Sequence, residues 1–283
     1  MSWKRRSKIL FLMTATLTAV ILTEMALYVY PSLQGSASAG NLFQYCSSWL
    51  LSNGLSGLVP VMDALVVSTL VLACWRFMQQ SYLSFLAHRR LAKAIHEERT
   101  ASLNDSLFGG RREVLVVDHQ EIIALTMGFL RPKIVLSTGL LQLLRDDELA
   151  AVVQHEIHHK QSRDPLKMAF MHGCAAALWY IPILRWSYDQ YRTAREILAD
   201  AYAVRASGSS IGLGSALLKL IRQNQIRTFS FTYASFAETS INARLQQLLD
   251  PKETLHFKLP IKRALISLHT VIFVSAMLLS GQF

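Results

Sequence analysis

Charge is scarce in this 283-residue sequence. Asp, Glu, Lys and Arg together make up 17% of it, where a soluble domain ordinarily carries about 25%. Hydrophobic residues reach 52%. The deficit excludes a soluble domain throughout and assigns part of the chain to lipid. Cysteine is scarce as well. Cys46, Cys74 and Cys174 stand far apart, with no CxxC pair, which argues against a disulfide framework and against a cysteine zinc site. Internal repeats and low-complexity tracts are absent.

The shortage of charge is uneven. Pro31 to Trp49 carries none, and nothing charged follows Arg263. Of the 29 Lys and Arg residues, 4 precede Ile9 and 25 lie between Arg76 and Arg263. Three apolar runs, at 9–30, 50–75 and 264–283, approach or exceed the roughly 20 residues a bilayer span needs. The "SASAG" at 36–40 imitates a cleavage site, but the first run is long for a signal peptide. The expected organisation is a membrane region at 1–75 with two spans, a cytoplasmic domain at 76–263, and a final span at 264–283. The positive-inside rule puts the N-terminus and the 76–263 region in the cytoplasm of a bacterial-type cell membrane, with the C-terminus outside. The net charge of +10 is then mostly topology, and direct nucleic-acid binding is not expected. Glu24 and Asp63 fall within spans, where ionisable groups are costly. Each is expected at an interface or facing a neighbouring helix.

The middle region mixes helix and strand signals. Residues 77–98 read as a helix and 104–110 as a loop. "REVLVVD" at 112–118 has the β-branched core of a strand. Two short apolar runs flank "RPK" within 122–137 and suggest a hairpin or turn. "STGLLQLL" starts a helix. "RDDELAAVVQHEIHHK" opens on acidic residues that favour a helix N-terminus. Residues 188–206 form a second long helical pattern, and "SIGLGSALLKLIRQ" continues helically. The fold class is a mainly α membrane protein, with transmembrane helices and an α+β cytoplasmic domain carrying a small sheet.

The chemistry lies in "HEIHH". His155 and His159 stand at i and i+4 on one helical face and can offer neutral imidazoles to one zinc ion. Glu156 is placed to act as general base toward water. His158 is turned about 100° from His159 and is not expected in the same site. A polar helix face is the plainer reading of these five residues alone. A catalytic zinc needs a third ligand. "REILADAY" offers Glu196 and Asp200 at i, i+4, Glu196 for the metal and Asp200 to orient a histidine through its free ring nitrogen. The alternative is an acidic face paired with Arg192 or Arg195. The helix is otherwise mostly apolar, and buried carboxylates need a partner.

"RPKIVLSTGLLQLLRDDELAAVVQHEIHHKQSRDPL" with "AREILADAYAV" resembles the gluzincin membrane peptidases, of the BlaR/MecR antirepressor type and the related HtpX/Ste24 type. "TSINARLQQLL" at 239–249 resembles a following R-x-x-x-L segment. The resemblance implies a zincin-like domain with one Zn2+ on His155, His159 and Glu196, Glu156 as base and Asp200 behind a histidine. It implies a membrane zinc endopeptidase whose substrate is a cytoplasmic or juxtamembrane protein, a transcriptional repressor among the candidates. The architecture is closer to the BlaR/MecR type. The sequence stops at Phe283, so no penicillin-binding sensor domain and no direct β-lactam sensing are expected. One N-terminal span fewer is also expected.

The site constrains its surroundings. Met168 to Leu184 is apolar but cannot cross the bilayer once, because His155 and Glu196 would then lie on opposite sides. It is a buried helix, a re-entrant hairpin bent near Gly173 or Pro182, or a helix against the inner leaflet, and His172 within it is a core or supporting histidine. Ile122 to Phe129 is an edge strand of the kind to which peptide substrates add in gluzincins, or else a plain core strand. Tyr202, Tyr188 and Arg205 are candidate donors to the transition state. The competing functions are an HtpX/Ste24-like quality-control protease, a catalytically silent zinc-binding signalling protein, and a membrane scaffold with an incidental histidine-rich helix.

Overall fold

The computed structural model describes residues 2–34, 42–225, 241–250 and 260–279. The cleavage-like "SASAG" at 36–40 and the last four residues of the third apolar run lie outside them. Two compact units emerge. One comprises Met1–Ser7, Ser81–Met168 and Tyr191–His256, the other Lys8–Gln80, Ala169–Gln190 and Phe257–Phe283.

The second unit holds the long apolar helices. α1 (Trp3–Gln34) and α3 (Val59–Lys93) span about 48 and 52 Å at 1.5 Å per residue, more than a hydrocarbon core of about 30 Å. Residues 3–30 and 56–93 are apolar enough to cross a membrane. The second apolar run does not start its helix at Leu50. Residues 50–52 end a separate helix, α2 (Leu42–Ser52), because Asn53-Gly54 breaks it and Gly54 takes φ +72°, a conformation that suits glycine. Asp63 faces a neighbouring helix: the Tyr28 hydroxyl donates to its Oδ1 at 2.6 Å, beside the buried pair Met25 and Val66.

The segment 168–184 is not one helix. α7 (Asp164–Ala177) stops, and α8 (Pro182–Ser207) restarts at Pro182, a residue favoured at the first helical position. His172 and Tyr188 stack across the two helices, 5.4 Å between centroids. The two helices form a hairpin, bent just before Pro182. Its tip residues Leu178, Ile181 and Leu184 are buried against Leu17 and Ile21 of α1. The Ile183 amide, an orphan donor of the first turn, donates to Ser267 Oγ at 3.0 Å.

The first unit is built on a three-stranded mixed sheet. β1 (Val114–Val117), β2 (Ala124–Met127) and β3 (Lys133–Ser137) lie in the order β1-β3-β2. β1 runs parallel and β2 antiparallel to β3, so "RPK" sits in the β2–β3 hairpin. β1's outer edge is covered by α4 (Glu97–Phe108). Asn104 Nδ2 donates to Val114 O while its Oδ1 accepts from Val114 N, and Thr100 Oγ1 accepts from Val116 N. That use of Asn104 keeps residues 104–108 helical, where the sequence had suggested a loop; only Gly109 and Gly110 turn. The helix expected over 77–98 is likewise interrupted at 94–96, where Ile95 bridges to Val117.

Three further helices close the core: α5 (Thr138–Leu143), α6 (Asp146–Gln161) and α9 (Ile211–Gln225). Val114, Ile134, Leu136, Leu140, Val152 and Ala216 pack together. Glu148 fixes α6 twice over. Its side chain accepts from the Arg145 amide at the helix start. Although fully buried, it also accepts from Lys219 Nζ at 2.7 Å and Ser215 Oγ at 2.6 Å, both on α9. Burial alone would raise its pKa, but these hydrogen bonds hold it down at about 2, against an ordinary 4.5. A lowered folded-state pKa stabilises above the unfolded value, and the benefit fades as pH falls from 4.5 toward 2. Glu148→Ala is therefore expected to cost about 2 kcal/mol at pH 7. Its unfolding midpoint, followed by circular dichroism in detergent, should lose the part of its pH dependence between 4.5 and 2 that Glu148 causes. Equal acid sensitivity of wild type and variant would refute this.

Candidate metal centre

α6 carries His155, Glu156 and His159, and all three are buried. The helix ends at Ser162, and Arg163 adopts φ +51°. This left-handed residue past the helix end turns the chain, so that Asp164 reaches back to its own helix. Asp164 Oδ2 lies 2.8 Å from His159 Nδ1. α8 brings Arg195, whose Nε lies 2.8 Å from Asp164 Oδ1, together with Glu196 and Asp200. Asp200 Oδ1 lies 2.8 Å from His155 Nδ1.

Both imidazoles are thus held the same way. A ring nitrogen 2.8 Å from a carboxylate oxygen carries the proton, which leaves Nε2 as a lone pair. The two Nε2 atoms face each other at 3.0 Å. Glu196 lies 3.6 Å from one and 3.7 Å from the other. Two lone pairs at this separation repel unless a cation lies between them. Four carboxyl groups, those of Glu156, Asp164, Glu196 and Asp200, meet two guanidinium groups, Arg195 and Arg244. The centre is short of positive charge by about the two units of a divalent ion. His155, His159 and Glu196 each offer one ligand atom, all within 4.8 Å of one another. This donor set fits zinc, with room for a further ligand.

Without a metal, the same carboxylates draw a proton onto the pair, where a cation would otherwise lie. Burial would lower the pKa of His155, but hydrogen bonds to Asp200 and Glu196 push it up to about 9. Burial would raise Glu196, yet His155 and the Arg244 charge hold it far below the carboxylate range. Asp200 is lowered in the same way, burial being outweighed first by Arg244. Arg244 comes from α10 (residues 241–249). Its Nε and Nη2 grip the two oxygens of Asp200 at 2.7 and 2.8 Å, and its Nη1 lies 3.1 Å from Glu196 Oε2.

A cavity of about 400 Å³ opens onto this centre, lined by Thr126, His155, Glu156, His159, Glu196 and Arg244 among others. Leu213, Leu217 and Leu220 of α9 supply an apolar wall. The structure brings together four residues paired from sequence alone, His155, His159, Glu196 and Asp200, with Glu156 at the same cavity. His158 turns away, as its position on the helix requires, and stacks on Tyr202 at 5.6 Å. Burial and the Arg195 charge push its pKa down to about 4. The three proposed transition-state donors do not line the cavity. Tyr202 is against His158, Tyr188 lies on His172 in the other unit, and Arg205 is exposed with Nε on Ala201 O. Sequence reasoning missed Asp164, Arg195 and Arg244 as members of the site. Arg195 pairs with Asp164, and the acidic face of α8 finds its cation in Arg244. Asp164 was visible only as a carboxylate just past the end of the histidine helix.

A helix presenting two histidines and a glutamate, completed by a carboxylate from a later helix, is an arrangement found in metallopeptidases. The chain belongs to the family described as BlaR1 peptidase M56, which it matches over residues 10–248. It is also similar to a Protease HtpX homolog of Pyrococcus abyssi, 31% identical over 120 residues, covering 31% of this chain and 42% of that one. Protease HtpX of Xanthomonas campestris pv. campestris is 42% identical over 66 residues, 23% of each chain. The chain thus spans less than half the length of these relatives.

Carboxylates behind metal-bound histidines typically account for about 10–100-fold in metal affinity. Asp164→Ala should weaken zinc binding by that factor in competition with a chelator. An unchanged affinity would make the Asp164–His159 contact irrelevant to the metal.

Proposed function

We propose that this chain is a membrane-anchored zinc endopeptidase that hydrolyses peptide bonds of a cytoplasmic or juxtamembrane protein. The observation that carries the reading is the pair of Nε2 lone pairs converging with Glu196, while Glu156 faces the same cavity. Bound there, zinc would supply Lewis-acid activation of water and of the scissile carbonyl. His155, His159 and Glu196 would hold it. Asp200 and Asp164 fix the tautomers of the two histidines. Glu156 takes a proton from the attacking water and passes it to the leaving amine. Arg244 pairs with Oε2 of Glu196 and fixes the orientation of that carboxylate.

The substrate class that family membership favours is a regulatory protein such as a transcriptional repressor. The similarity to Protease HtpX favours, as a second reading, the cleavage of membrane proteins for quality control. In either case the distribution of Lys and Arg supports a cytoplasmic N-terminus and a cytoplasmic metal centre.

Glu156→Gln is expected to keep one zinc per chain and to lose proteolysis by at least 100-fold, the lower range for a general base. Glu196→Ala should lose the zinc itself, measured by metal analysis of detergent-purified protein. Proteolysis surviving in Glu156→Gln, or full zinc in Glu196→Ala, would remove the residue concerned from its role. A periplasmically active reporter fused after Phe283 should give signal, and a cytoplasmically active one should not; the reverse pattern overturns the topology.

A further inference from the structure

β2 is the edge strand, and no described residue pairs with its outer side. The opposite edge, that of β1, is closed by Asn104 and Thr100. The direction of β2's main-chain groups follows from one bond: the Ser137 amide donates to Ile123 O at 2.9 Å. Main-chain groups alternate sides along an antiparallel strand. Ile123 and Leu125 therefore face β3, while Ala124 and Thr126 direct their N–H and C=O outward to the open edge. Both residues line the cavity over the metal centre.

The Thr126 side chain has a second contact. Its Oγ1 lies 2.8 Å from Glu156 Oε2 and 3.0 Å from Glu156 O. A hydroxyl has one proton to give. The Glu156 carbonyl already accepts within α6, so the carboxylate is the acceptor in need. That bond fixes Oε2. One residue thus presents its main chain to the open strand edge and holds the carboxylate of Glu156 with its side chain.

We propose that Thr126 is a positioning residue. Its hydroxyl holds Glu156 Oε2 at 2.8 Å and so aligns the carboxylate that takes the proton from water. This rests on the reading of Glu156 as general base.

The test uses the full chain in detergent with zinc, and a quenched-fluorescent peptide as probe. Thr126→Val removes the hydroxyl and keeps the β-branched shape. It should lower kcat about tenfold, because the base is misaligned and not deleted, with KM within twofold. Zinc should remain at one per chain and the unfolding midpoint close to wild type. Thr126→Ser, which restores the hydroxyl, should recover most of the rate. An unchanged kcat in Thr126→Val beside an inactive Glu156→Gln overturns the role of Thr126 alone. An active Glu156→Gln overturns the base assignment and Thr126's role with it. Loss of zinc in Thr126→Val, or failure of Ser to recover the rate, would show a packing role and also overturn the proposal. If Thr126→Val does not fold, Thr126→Ala is read by the same criteria.

Discussion

Two imidazole nitrogens, each turned inward by a carboxylate at the other ring nitrogen, point at each other from 3.0 Å. That juxtaposition is unfavourable without a cation, and much of the first unit serves to impose it. α6 sets the spacing of the two histidines. The left-handed turn at Arg163 delivers one supporting carboxylate, and α8 delivers the other together with the third ligand. The hairpin formed by α7 and α8 is what allows a residue past 190 to return to a helix that ended at Ser162. The position of Glu196 therefore depends on a chain reversal just before Pro182.

The cost of such a centre is a concentration of buried carboxyl groups. Arg244 and Arg195 offset it by pairing with three of them, in geometry that still leaves the metal-facing atoms open. Breaking one side of a buried ion pair leaves an uncompensated charge. The arginines therefore belong to the construction of the site as much as the ligands do. Glu148 shows the same principle in a purely structural setting: a buried carboxylate kept ionised by Lys219, binding the start of α6 to α9.

The sheet is small, but its asymmetry matters. One edge is sealed by side chains of α4, and the other, beside the metal centre, is unpaired among the described residues. An exposed edge is a liability that proteins usually cover. Its retention next to Glu156 accords with a surface made to accept an extended chain, and the Thr126 hydroxyl joins that surface to the proposed base.

Local pattern alone determined a good deal. Helical spacing put His155 and His159 on one face, and i, i+4 spacing paired Glu196 with Asp200. A β-branched run marked β1, two short apolar runs around "RPK" marked β2 and β3, and uninterrupted apolar length marked α1 and α3. These are short-range properties, fixed by residues within one or two turns of each other. Only the tertiary structure decided that Asp164 supports His159, that Arg244 answers Glu196 and Asp200, and that Thr126 holds Glu156. It also set aside Tyr202, Tyr188 and Arg205 as residues lining the cavity and broke the 168–184 run into a hairpin. Each of those facts pairs groups brought together by a turn, a chain reversal or a separate element. Spacing along the chain carries no record of such encounters, because they depend on where whole helices and strands come to rest.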